Sequence, residues 1–183
     1  MNILKKMFSF SQEKKMAHLL YRTIVEQARH PAFYRDFGVA DTFDGRFDMI
    51  SLHMILVMRR LKTDVDQTRK LSQALFDYMF NDIDLNLREL GIGDMGVLTR
   101  VKKMAKAFYG RLESYDLGLA QDGDSDLTAA LQRNLFRENA TTEANLVSIA
   151  AYMRRQSDHL AAWDVAYLLK GELEFAVSPE LEP

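Results

Sequence analysis

Gly91, Gly93 and Gly96 spell G-x-G-x-x-G, the pattern that lets a backbone approach a pyrophosphate at a helix N-terminus. That chemistry needs a strand ahead of the glycines. Here a helical pattern precedes them, so they read as a turn between two helices. Asp82-x-Asp84-x-Asn86 and Asp122-x-Asp124-x-Asp126 open like calcium loops, whose oxygens converge when the sixth place is glycine and the twelfth a bidentate glutamate. The sixth places are Leu87 and Leu127 and the twelfth Gly93 and Arg133, so these acids read as solvated helix ends and loops. His18, His30, His53 and His159 form neither H-E-x-x-H nor the Glu-x-x-His pairs of di-iron bundles. Glu26 and His30, one turn apart, read as a surface pair before a proton-transfer pair. There is no G-x-S-x-G elbow, and the absence of cysteine removes disulfides, thiolate metal sites and cysteine nucleophiles. On its chemistry-bearing residues the chain is expected not to be an enzyme and to hold no cofactor and no metal.

The elements that carry these residues are helical throughout. Prolines occur only at 31, 179 and 183, so nothing from residue 32 to 178 forbids helix. A first helix is predicted from Gln12 to Arg29, stopped by the proline that follows His30, with a short turn at Phe33–Phe37 ended by Gly38. From Thr42, Phe43, Phe47, Ile50, Met54, Val57 and Leu61 step by threes and fours, the period of a helix facing a core. Val65, Leu71, Leu75, Met79, Ile83, Leu87 and Leu90 do the same within Asp64–Leu90, and Gly91 stands where a helix C-cap wants glycine. Val97, Val101, Met104, Phe108, Leu112, Tyr115 and Leu119 form a third stripe, capped by Asp94 and weakened at Gly110. After a polar loop at 121–126, helices are predicted over Leu127–Arg137 and from Thr142 to about Glu172. No alternating pattern suggests a strand. The expectation is an all-α, single-domain, bundle-like arrangement of about six to seven helices over residues 12–175. A flexible or amphipathic segment (1–11) and a tail (176–183) flank it.

With 183 residues, 48% of them hydrophobic and 27% charged, the chain can bury one core and does not have the composition of a disordered protein. Its formal charge of −2 gives no overall attraction to nucleic acid or anionic lipid, so any electrostatic partner must be met by a local patch. No stretch approaches the ~18 apolar residues that cross a bilayer. Residues 1–16 mix Ile3, Leu4, Met7, Phe8 and Phe10 with Lys5, Lys6, Lys14 and Lys15. They lack the apolar core of a secretory signal, and residues 1–10 are expected to make a peripheral membrane contact at most.

Two features point to binding. The ten methionines suit irregular cores and adaptable apolar surfaces alike; most read as core, but Met49–Met58 is apolar on nearly all sides, so its helix is either central or offered to a partner. His53 interrupts that stretch and reads as a core or boundary imidazole with one satisfied hydrogen bond, ahead of a ligand contact. The second feature is the basic run of Arg100, Lys102, Lys103, Lys106 and Arg111, offset by Glu113 alone. It is a solvated helix face or a meeting point for RNA, anionic lipid or an acidic protein surface.

Asp41-Thr-Phe-Asp-Gly-Arg-Phe-Asp48 with Leu52-His53 and Arg59-Arg60-Leu61 is one of several sequence stretches that belong together. The others are Leu75-Phe-Asp77, Asn86-Leu-Arg-Glu-Leu-Gly-Ile-Gly-Asp94, Val101-Lys-Lys-Met104 and Ala107-Phe-Tyr-Gly-Arg111. Between about Arg29 and Asn134 they make the chain resemble the ubiquinol–cytochrome c reductase chaperone family. The resemblance implies an all-α assembly chaperone for cytochrome b, the membrane-embedded haem subunit of the bc1 complex, acting early in its maturation. In mitochondrial members it implies a small helper protein and the ribosome as further partners. The short chain, without an Arg- and Ser-rich transit peptide, resembles a bacterial member, expected in the cytoplasm or peripheral on the cytoplasmic face of the inner membrane. Met49, His53, Met54, Met58, Phe108 and Tyr109 are then expected to form the client surface. Arg100, Lys102, Lys103, Lys106 and Arg111 would supply attraction to ribosome, lipid or client loops. The alternatives are a peripheral lipid or haem carrier with His18, His53 or His159 as axial ligand, and a ribosome-binding module that uses the basic helix.

Overall fold

The computed structural model describes residues 3–137 and 141–178, with side chains from residue 12 onward. The membrane contact expected of residues 1–10, and the tail beyond residue 178, lie outside the described side chains. The chain is 79% helical with no strand among the described residues, as the all-α expectation requires. The helices are α1 (Ile3–Ala28), α2 (Pro31–Arg35), α3 (Phe43–Lys62), α4 (Val65–Glu89), α5 (Asp94–Ala120), α6 (Ser125–Leu131), α7 (Glu143–Ala162) and α8 (Val165–Leu168), with a wider π turn over Gln132–Phe136 after α6.

Local chemistry sets the boundaries. Pro31 occupies the first position of α2, where a missing N–H costs nothing, and His30 Nδ1 accepts from the Ala32 N–H at 3.4 Å. Thr42 and Thr142 cap α3 and α7 by accepting from Gly45 and Asn145 N–H, both at 3.1 Å. Gly91, at φ +80, ends α4 by placing its N–H on Arg88 O and that of Ile92 on Leu87 O, a left-handed cap that any Cβ would strain. α1 starts at Ile3 and not at Gln12: residues 3–11 contain good helix formers and no glycine or proline. The single helix predicted from Thr142 to Glu172 divides at Trp163, whose backbone is extended at ψ 126. There Asp164 Oδ1 accepts from the Ala166 N–H at 2.9 Å, so an Asx cap starts α8 in place of another turn of α7.

The helices gather into two compact units, each drawn from three stretches of chain. The first unit comprises residues 1–23, 61–109 and 164–173. It buries the α4 stripe of Leu71, Leu75, Met79, Ile83 and Leu87 together with Leu20 of α1, Val97 and Phe108 of α5, and Leu168 of α8. The second comprises residues 24–60, 110–163 and 174–183. Within it α3 is enclosed on all sides, with every residue from Ser51 to Val57 buried, so its apolar girth reflects a central position. Leu127 backbone atoms pass within 2.8 Å of where a Cβ would stand on Gly118, a close approach of α6 to α5 that only glycine permits.

Candidate interaction site

α3 carries polar groups into the interior of the second unit. Asp48 is 2% exposed and sits between two guanidinium groups, Arg111 Nη2 at 2.7 Å and Arg137 Nη2 at 2.5 Å. Burial pushes its carboxyl up to about 7, against the pull of Arg111 and Arg137. Arg111 also donates to Asn134 O at 3.1 Å and lies over the Phe47 ring at 5.7 Å, while Asn134 Nδ2 donates to Ser114 Oγ at 3.2 Å. The network joins α3, α5 and the π turn. Arg137, in the sparsely populated region at φ 56, ends that turn with its side chain on Asp48. Two of the stretches that carry the family resemblance therefore meet at one buried ion pair. Arg59 likewise pairs with Asp116, and Arg60 Nε donates to Trp163 O at 2.9 Å. Of the expected basic patch, Arg111 is thus an interior residue, bound to an acid that the charge run along α5 does not reveal.

Five positions beyond Asp48, His53 is fully enclosed. Its Nδ1 is 2.8 Å from Met49 O and its Nε2 2.7 Å from the Tyr152 hydroxyl. A carbonyl only accepts, so Nδ1 carries the proton and Nε2 accepts from Tyr152 O–H, whose oxygen in turn accepts from Gln27 Nε2 at 3.0 Å. Burial holds this imidazole at about 4, well below its ordinary value, so it is neutral. The rings of Phe33, Tyr152 and Phe175 stand edge-on to it at 5.6, 5.7 and 5.3 Å. His53 is a core imidazole with both nitrogens used, one bond more than the sequence reading gives it. Tyr152 and Gln27 complete the group, and no sequence spacing announces them.

Of the six residues expected at a client surface, Met49, His53, Met54 and Phe108 have no accessible side chain. In this conformation they build the interior, because α3 is central and Phe108 packs edge-on against Phe76 and Phe80 at 5.7 and 6.1 Å. Met58 is half-buried. Tyr109 is 54% exposed, resting on Phe76 at 5.4 Å. Arg100, Lys102, Lys103 and Lys106 are exposed along α5 in the first unit. That unit also holds an open groove of about 570 Å³ between α1 and α4, with Glu13, Lys14, Lys70, Asp77, Tyr78 and Asn81 on its walls. His18 Nδ1 lies 2.6 Å from the Tyr78 hydroxyl, and Lys70 Nζ 3.8 Å from Glu13.

Several acids of the remaining motifs are held by structural partners. Asp82 accepts from Tyr21 O–H at 2.9 Å, and Asp84 from Arg88 Nε at 2.5 Å. In the second acidic loop, Asp124 is bound by Arg154 at 2.6 Å, and the same guanidinium donates to Gly118 O and Gly123 O. No group of three or more His, Asp or Glu side chains among the described residues is arranged to hold a metal ion. His159 Nε2 lies 3.1 Å from Glu174 O. Gly91, Gly93 and Gly96 lie at the turn from α4 to α5, with Arg88 paired to Asp94 across it. No helix among the described residues is long and apolar enough to cross a membrane. Of the side chains expected to meet a partner, Arg100, Lys102, Lys103, Lys106 and Tyr109 of α5 lie exposed in the first unit.

Comparison with known proteins gives a consistent result. The family model described as Ubiquinol-cytochrome C chaperone matches residues 35–175. The ubiquinol-cytochrome c reductase complex assembly factor 1 of Drosophila melanogaster is 27% identical over 152 residues, 80% of this chain and 58% of that protein. The Homo sapiens protein of the same name is 25% identical over 165 residues, 90% of this chain and 55% of that protein. The chain therefore spans a little over half the length of these two curated relatives. The crystal structure of the Cbp3 homolog from Brucella abortus matches with a TM-score of 0.82 at 35% identity, covering 96% of this chain and 97% of that one. With its family match running from the end of α2 through α8, the chain belongs to the ubiquinol–cytochrome c chaperone family.

Proposed function

We propose that this protein is a non-catalytic assembly chaperone of the bc1 complex that binds cytochrome b early in its maturation. The observation that carries the reading is the likeness to the Cbp3 homolog, which extends over 96% of this chain at 35% identity. The names of the curated relatives, as assembly factors of the ubiquinol–cytochrome c reductase complex, support it. The interior of the second unit fits a binding role: its buried acid and imidazole, Asp48 and His53, are both engaged by internal partners. A client that is a membrane subunit places the work of this protein at the cytoplasmic face of the inner membrane, with the ribosome or a small helper protein as further partners. Met49, Met54 and Phe108 are interior, so on this reading contact with the client begins at the exposed Tyr109 of the first unit.

The test is affinity purification of the tagged protein from detergent-solubilised growing cells, followed by mass spectrometry. Enrichment of cytochrome b without the mature complex is expected, reduced by Tyr109→Ala in a protein of unchanged helicity. Recovery of ribosomal proteins without cytochrome b would overturn the reading in favour of a ribosome-binding module.

A further inference from the structure

The first half of α5 carries side chains that neither the core nor a simple solvated face accounts for. Met95, Leu98, Lys102, Lys106 and Tyr109 recur at spacings of three and four, which puts them on one stripe of the helix. Met95 is 78% exposed, Leu98 50% and Tyr109 54%, and Leu90 at the end of α4 is 63% exposed. Arg100 and Lys103 are exposed to the side of the stripe. From Met95 to Gly110 there is no aspartate or glutamate, and none of the four cations pairs with an acid among the described residues. A protein of net charge −2 thus concentrates four unneutralised positive charges and three water-exposed aliphatic side chains on one short stretch of its first unit.

Charge and hydrophobicity select the partner together. Nucleic acid would answer the cations through its phosphates, but it offers nothing to Leu90, Met95 and Leu98, and the stripe is lysine-rich where planar stacking favours arginine. An anionic phospholipid surface answers both: headgroup phosphates meet the lysines, aliphatic tips enter the acyl boundary, and a tyrosine sits at headgroup depth. Lysine stems lie along apolar surface while their ammonium groups stay in the headgroup layer. We propose that the α5 stripe from Met95 to Tyr109, with Leu90 at its end, docks this protein on anionic bilayers.

The test uses the full-length protein with phosphatidylcholine vesicles that contain or lack 30% phosphatidylglycerol, an amount chosen to be about that of an anionic-rich membrane. Co-sedimentation with the anionic vesicles is expected, weakening as salt rises. A lysine near such a surface contributes about 5-fold in partition. The K102Q/K103Q/K106Q variant should therefore bind on the order of 100-fold more weakly, and the M95S/L98S variant should also lose binding while retaining its circular dichroism. Because cysteine is absent, L98C labelled with bimane gives a second readout. Its emission should shift to the blue with anionic vesicles, while the same label at V147C on α7 should not respond. Equal binding to neutral vesicles would overturn the proposal, as would undiminished binding of both variants or binding lost only on deleting residues 1–10. So would binding of single-stranded RNA, but not of vesicles, through the three lysines.

Discussion

Tyr152 holds the interior of the second unit together through one oxygen. It donates to His53 Nε2 and accepts from Gln27 Nε2, so Tyr152→Phe leaves the buried acceptor of His53 without its donor and removes an acceptor from the half-buried Gln27, with almost no change of volume. The expected cost is about 1–3 kcal/mol, read as a lower midpoint in urea with an unchanged slope. His53 itself gives a pH signature. Its folded value, about 4, lies below the ordinary histidine value of 6.5, so its contribution is complete above pH 6.5 and is lost as pH falls through 4. The difference of about 2.5 units corresponds to roughly 3 kcal/mol. Asp48 has the opposite sign over the same interval. Its carboxyl is raised to about 7, so its contribution is complete below the ordinary aspartate value and is lost as pH rises through 7. The two partly cancel in the unaltered protein. Asp48→Asn should steepen the loss of stability between pH 6.5 and 4, and His53→Phe should reverse it, as measured by urea unfolding at several pH values. A change of the same size at every pH for both variants would refute the assignment. The apolar residues around His53 leave it a core or boundary imidazole, and only the surrounding elements enclose it. Their spacing does not supply the partner, which lies 99 positions away, and the partner decides the proton's position.

At the scale of elements, α5 combines the best-marked boundary with a deliberate weak point. Its start after Gly91 and its buried stripe through Val97, Phe108, Tyr115 and Leu119 are legible because caps and periodicity are local properties. Gly110 lies within the helix, and a Cβ there would meet nothing within 4 Å. Gly110→Ala should stabilise the protein by about 0.5–1 kcal/mol, raising the thermal midpoint by roughly 1–4 °C. Thr142→Ala should act the other way by about 1 kcal/mol, since it deletes the acceptor for Asn145 N–H at the start of α7. A helical peptide of residues 141–162 carrying the same change should lose helicity by circular dichroism. The division at Trp163 was not legible: neither Trp163 nor Ala166 opposes helix, and the Asx cap of Asp164 prevails only where the packing of each side fixes the break. The fate of α3 was undecided for a related reason. An apolar girth is the same sequence whether a helix is central or offered to a partner, and only the surrounding elements, which bury Met49 and Met54, choose between them.

At the scale of the whole molecule, neither compact unit is a continuous stretch of chain, and α1, α3 and α5 each supply residues to both. Helix formation is cooperative along a helix, since each added residue propagates from an existing turn. Three such helices should therefore make the two units unfold together. The protein contains a single tryptophan, Trp163, whose ring lies tilted against His159 at 5.3 Å in the second unit and senses the packing around that contact, whereas circular dichroism reports on the helices of both units. The two signals should give the same midpoint in urea, and Tyr152→Phe, confined to the second unit, should shift both by the same amount. If Trp163 fluorescence moved first while helicity persisted, the units would be independent and Gly110 would be the place to look for their separation. On the proposed chaperone reading, a folded protein that keeps Met54 and Phe108 buried offers its client only the side chains already exposed. Client capture through Tyr109 should then be insensitive to Tyr152→Phe at temperatures where the variant is still folded. Loss of capture in the folded variant would instead show that Met54 and Phe108 must be uncovered to bind, and that the interior opens as part of the work.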